Sequence, residues 1–149
     1  MNTEKSIEIL NSLIQINNDR IKGYETASKE ADETDLKTLF SHFTETSLKC
    51  KSDLVAEVKR LGGTATEGTT TSGKLFRVWM DIKSAMTGSD RKAIINSCEY
   101  GEKAALDTYD DTLAHTEDLS SEQLMMIKEQ HSAIKANQQK IKDLSNHMA

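Results

Sequence analysis

Apolar side chains recur at three- and four-residue steps along most of this chain, the spacing that places them on one face of an α-helix. Ile7, Leu10, Ile14, Ile21, Tyr24, Ala27 and Ala31 form such a stripe and predict a first helix over residues 3 to 32. Leu36, Leu39, Phe40, Phe43, Cys50, Leu54, Val58 and Leu61 form a second, with Thr34 or Asp35 as its N-cap. Gly62 and Gly63 end it, because glycine takes the left-handed conformation that closes a helix. A polar linker over residues 64 to 73 precedes a short amphipathic stretch from Lys74 to Thr87 carrying Leu75, Phe76, Trp79, Ile82 and Met86. The third long stripe is Ile94, Ile95, Cys98, Glu102, Ala105, Tyr109 and Leu113, in a helix from Arg91 to about His115. Ser120 or Ser121 opens the last helix, whose stripe is Leu124, Ile127, His131, Ile134, Ile141 and Leu144.

Four long helices with one apolar face each must bury those faces against one another, which predicts an all-α four-helix bundle in one domain spanning residues 1 to 149. The first and second helices are joined tightly, as are the third and fourth, so each pair is expected to be an antiparallel hairpin. The connector between the hairpins is long enough to cross the whole bundle and carries the short extra helix. Trp79 is expected to anchor that helix along the bundle.

Composition agrees with long helices. There is no proline among the 149 residues, and 29% are charged, as solvated outer faces require. The formal charge of −5 is spread as interleaved acids and bases with no basic stripe, which argues against a nucleic-acid partner. No apolar run approaches the ~20 residues of a membrane span, and the N-terminus has no secretory pattern. Cys50 and Cys98 belong to no C-x-x-C motif and are expected as reduced, buried thiols in a cytoplasmic protein.

Polar residues inside the stripes carry whatever chemistry there is, since burying a carboxylate or imidazole is costly unless it is paired. These are Asn17, Glu102 and His131. Asn17 stands seven residues before Tyr24, and Glu102 seven before Tyr109, a weak internal echo of two related hairpins. Glu102 with His131 reads either as half of a metal site, with Cys50 and Cys98 as further ligands for iron or zinc, or as a buried hydrogen-bonded pair that fixes helix register. His42 and Glu45 read as surface residues, and Met125 with Met126 as core or subunit contact. No G-x-S-x-G elbow, phosphate loop or triad spacing supports an enzyme.

The pattern resembles ferritin-like proteins. In their di-iron members the first and third helices each present a glutamate followed two turns later by a tyrosine, and the second and fourth each add Glu-x-x-His. Glu102 and His131 fall at matching places. Asn17 stands where the first glutamate is required, Ser47 with Cys50 where the second helix should offer Glu-x-x-His, and Lys128 where a bridging glutamate precedes His131. The resemblance therefore implies an incomplete ferroxidase set. Over nearly the whole chain, R-I-K-G-Y-E-T-A (20–27), R-L-G-G (60–63), W-M-D-I-K-S-A-M-T-G (79–88), G-E-K-A-A-L-D-T-Y (101–109) and E-Q-H-S-A-I-K (129–135) resemble a bacterial family of ferritin-like bundles carried as a domain of unknown function. The expectation is a non-catalytic bundle without a resident cofactor that acts as a structural or interaction module, associating with copies of itself through helix faces. The alternative is a metal-binding protein holding iron or zinc at Glu102, His131, Cys50 and Cys98.

Overall fold

A computed structural model describes residues 2–68, 84 and 91–147. Apart from Ser84, the predicted short helix around Trp79 lies outside these residues. Four α-helices account for the described chain: α1 (Thr3–Glu30), α2 (Thr34–Arg60), α3 (Arg91–Ala114) and α4 (Ser121–His147). None of them is long and apolar enough to cross a membrane.

The helix ends follow local chemistry. Asn2 caps α1 by accepting from the Lys5 amide at 3.2 Å. At the end of α2 the Gly63 amide reaches back to the Val58 carbonyl and the Gly62 amide to that of Lys59, each at 3.0 Å. That pair of bonds is the Schellman closure, and Gly62 holds the φ of 83° it demands. Gly63 lets the turn press onto α1, since a Cβ there would sit 2.8 Å from Ile7 Cδ1. Ser120 and Gln123 cap α4 reciprocally: the Gln123 amide donates to Ser120 Oγ at 3.1 Å, and the Ser120 amide to Gln123 Oε1 at 2.9 Å.

Each helix packs on two neighbours. α1 lies against α2 and α3, and α4 lies against α3 and α2, leaving α1 and α4, and α2 and α3, on the diagonals. Side-chain pairings set the directions. Asn17 meets Tyr109 while Tyr24 meets Glu102, so α1 and α3 are antiparallel. Cys50 meets Gln130 while Glu57 meets Gln123, so α2 and α4 are antiparallel too. α2 and α3 therefore run parallel. Arg91 binds Glu33 and Asp35 at the start of α2, the end opposite Arg60. A helix of this length is roughly 40 Å long, so the chain between Arg60 and Arg91 joins opposite ends of the bundle. Its first residues run down the outside of α1. Asn11 exchanges bonds with Thr64 and Thr66, and Asn18 Nδ2 donates to the Gly68 carbonyl at 2.9 Å.

The apolar core falls into two parts. One is built on Leu10, Leu13, Ile14, Leu54, Val58, Ala105, Leu106, Ile127 and Ile134. The other is built on Tyr24, Ala27, Leu36, Phe40, Phe43, Ile94, Ile95, Cys98 and Ile141, with the Tyr24 ring stacked on Phe40 and edge-on to Phe43. Between them lies a layer of buried polar side chains.

Candidate functional site: a buried ion pair at mid-bundle

The inward line of α1 runs Leu10, Leu13, Asn17, Arg20, Tyr24, Ala27 and Ala31, every member buried. It therefore carries an arginine into the interior in place of Ile21, which is only half-buried. Arg20 and Glu102 are both fully buried, and Arg20 Nη2 lies 2.7 Å from Glu102 Oε1. Arg20 Nη1 donates to Ser47 Oγ of α2 at 2.7 Å. The Tyr24 hydroxyl donates to the same Glu102 oxygen at 3.0 Å, and the guanidinium sits 5.6 Å from the centre of the Tyr24 ring.

One turn further along the bundle, Asn17 Nδ2 donates to the Tyr109 hydroxyl at 2.9 Å and the hydroxyl to Gln130 Oε1 at 2.8 Å. Gln130 Nε2 in turn donates to the Cys50 carbonyl at 3.3 Å. The echo seen in the sequence thus becomes a crossed pair of bonds: the tyrosine of each helix meets the polar residue of the other. Asn17 Oδ1, Arg20 Nε, Glu102 Oε2 and Asn137 Nδ2 are buried with no hydrogen-bond partner among the described residues. Each such atom adds a desolvation cost that the paired ones must offset.

Electrostatics favour a neutral interior around one ion pair. Burial works against the charge on Arg20, but Glu102 and then Tyr24 outweigh it and hold the guanidinium firmly protonated. Burial pushes the Tyr24 and Tyr109 hydroxyls up, and Glu102 raises Tyr24 further, so both phenols stay neutral. Burial also pushes the Cys50 thiol up to about 11 and the Cys98 thiol higher still, the latter helped by Glu102. Both cysteines are free and buried, and as thiols they are poor metal ligands.

The structure brings Asn17, Tyr24, Glu102, Tyr109, Cys50 and Cys98 to the bundle interior, along with Ser47. It does not bring His131 there. The inward line of α4 is Gln123, Ile127, Gln130, Ile134, Asn137 and Ile141, one position off the stripe expected through His131. Steps from Ile127 to Ile134 through residue 130 or 131 are equally helical. The neutral Gln130 amide can both accept from Tyr109 and donate to Cys50, whereas an imidazole there would be costlier to bury. His131 instead lies half-buried on the outer side, with Nε2 2.8 Å from Asp110 Oδ1, and Lys128 is exposed. The expected pairing of Glu102 with His131, whether as metal ligands or as a buried hydrogen bond, is replaced by Glu102 with Arg20. Among the described residues no group of three or more His, Cys, Asp or Glu side chains converges as a metal ion would need. The donor set near Glu102 does not fit a resident metal, because a guanidinium already faces its carboxylate.

Arg20 lies outside the apolar stripe of α1, which runs through Ile21 instead. Its position, three after Asn17 and four before Tyr24, was the available signal. A search for the chain among curated proteins gives no match. A family profile does match it, over residues 5–115, from α1 to just past the end of α3. The chain belongs to the family described as a domain of unknown function, DUF2383.

Proposed function

We propose that this protein is a non-catalytic, ferritin-like bundle in which an internal arginine takes the electrostatic place of a metal, and that it works as a structural or interaction module through its outer helix faces. The observation that carries the reading is the fully buried Arg20–Glu102 pair. A carboxylate at the bundle centre needs a cation, and in the di-iron relatives that the fold resembles the cation is a metal. In this chain the guanidinium meets Glu102, Ser47 and the Tyr24 ring, so the charge is answered by the protein itself. The antiparallel α1–α3 and α2–α4 packing, with a connection between opposite ends of the bundle, supports the ferritin-like assignment. Two free, buried thiols fit a reducing, cytoplasmic setting.

The rival reading holds iron or zinc at Glu102 with Cys50 and Cys98, and the unpartnered Glu102 Oε2 is what favours it. Oxygen consumption on adding ferrous iron separates the two. The proposed reading predicts no catalytic turnover by the unmodified protein. Repeated turnover that is lost in Glu102→Ala would overturn it.

A further inference from the structure

The outer groove between α3 and α4 has a volume of about 770 Å³ and is lined along α3 by Glu99, Tyr100, Lys103, Asp107 and Asp110. Along α4 it is lined by His131, Lys135, Gln138 and Lys142. The α3 side thus carries three carboxylates and one ammonium, whereas the α4 side carries two ammoniums and His131. Among the described residues only Asp110 and His131 pair across it; Glu99, Lys103, Asp107, Lys135 and Lys142 make no ion pair. Tyr100 stands 60% exposed beside them.

The Asp110–His131 contact fixes the levels of the other groups. The helices are antiparallel, so residues equally far back along α3 and forward along α4 share a level. Lys103 is then level with Gln138, Glu99 with Lys142, and Asp107 with Lys135 to within one residue. Gln138 is buried at 6% exposure and its Oε1 has no partner among the described residues.

We infer that this groove is the contact face for a second copy of the chain, docked about a two-fold axis parallel to the helices. The inference rests on the proposed interaction role and names the face that performs it. That rotation lays each α3 over the α4 of its partner with levels preserved. Asp107 then faces the partner's Lys135, and Glu99 faces the partner's Lys142. Every pairing occurs twice, as an isologous interface requires. A rotation about the perpendicular in-plane axis would instead set acid-rich α3 against α3 and base-rich α4 against α4. Charge complementarity therefore selects one symmetry as well as one face. The Tyr100 rings supply the aromatic surface that ion pairs alone lack. Two helices roughly 36 Å long and about 20 Å wide together offer on the order of 700 Å² per copy, near the ~800 Å² of a standard interface.

Sedimentation of the full chain over a wide concentration range, at low and high salt, tests this. The expected result is a dimer whose dissociation constant rises with salt, since surface ion pairs are screened. Lys135→Glu should raise that constant at least about tenfold. Adding Asp107→Lys to the same chain should restore it, because the swapped charges again face each other. Glu99→Lys should weaken the dimer independently, while Lys49→Glu on α2 leaves it unchanged. Circular dichroism of each variant confirms that these exposed sites have not altered the helices. A monomer at every concentration overturns the inference and leaves the self-neutralised core standing. An oligomer indifferent to Lys135→Glu and Glu99→Lys overturns the face while leaving association in place.

Discussion

Arg20 and Glu102 meet at 2.7 Å with neither side chain exposed to solvent, from helices that run antiparallel through the middle of the bundle. Taking two charges out of water is costly, and the pair is tolerable because Ser47 and Tyr24 add hydrogen bonds to it. Removing one partner strands the other. Arg20→Met or Glu102→Leu should each cost roughly 3–5 kcal/mol of stability, read from urea unfolding followed by circular dichroism. The double variant Arg20→Met with Glu102→Leu should recover most of that loss, since an apolar pair leaves no buried charge. If the two single losses simply add in the double variant, the residues are not coupled and the pairing is wrong.

The thiols give a pH test with a definite sign. Cys50 in the folded protein is pushed up to about 11, above its unfolded value, and Cys98 is pushed up further, both chiefly by burial. A group that holds its proton more tightly when folded contributes stability that is intact below the unfolded value and is lost as pH rises through the folded one. Stability should therefore fall on the alkaline side from about pH 9 upward, and Cys50→Ala with Cys98→Ala should flatten that limb. Native thiols should react with iodoacetamide only as fast as the bundle opens. Immediate modification of either cysteine at neutral pH would contradict the burial on which this rests.

Gly63 and Ile7 make a size-coupled pair. Gly63→Ala places a Cβ 2.8 Å from Ile7 Cδ1 and 3.0 Å from Cγ2, so the turn must move or the isoleucine must yield. The expected result is a loss of about 1–3 kcal/mol that Ile7→Ala partly relieves. Gly62→Ala should cost about 1–2 kcal/mol for a different reason, the left-handed backbone at a φ of 83°, and Ile7→Ala should not relieve it. Thermal melts of the four variants separate the steric effect from the conformational one.

Acid sensitivity has a local source at the other end of the bundle. The Arg91 guanidinium hydrogen-bonds Asp35 and holds its carboxyl below the usual range. A lowered carboxyl contributes stability that is present above the ordinary carboxylate value and is lost as pH falls through the folded one. Asp35 is largely exposed, so the effect should be small and should shrink in high salt. Arg91→Gln should flatten the acid limb of the melting temperature against pH at low salt. An unchanged acid limb would mean the pair contributes nothing measurable.

The helices were legible because each stripe repeats for five or more turns, and because Gly62–Gly63 and the Ser120–Ser121 pair end or begin helices by local chemistry. The interior was only partly legible. Asn17, Glu102, Tyr24 and Tyr109 interrupt or extend apolar stripes and so announce themselves. Arg20 does not, because the adjacent Ile21 is the more obvious inward choice and arginine is rarely buried without a partner. His131 misled for the matching reason: positions 130 and 131 of α4 fit the helical repeat equally well, and only the bonds available to Gln130 from Tyr109 and Cys50 decide between them. Which of two adjacent residues faces inward is set by partners on other helices, and a single stripe holds no record of them.

The most direct test of a self-neutralised core is the metal content of the purified protein, measured before and after anaerobic exposure to ferrous iron and to zinc. The account predicts no stoichiometric metal in either state, with identical values for Glu102→Ala. Near-stoichiometric iron or zinc in the unmodified protein, lost on Glu102→Ala, would show that Glu102 holds a metal and would contradict the account.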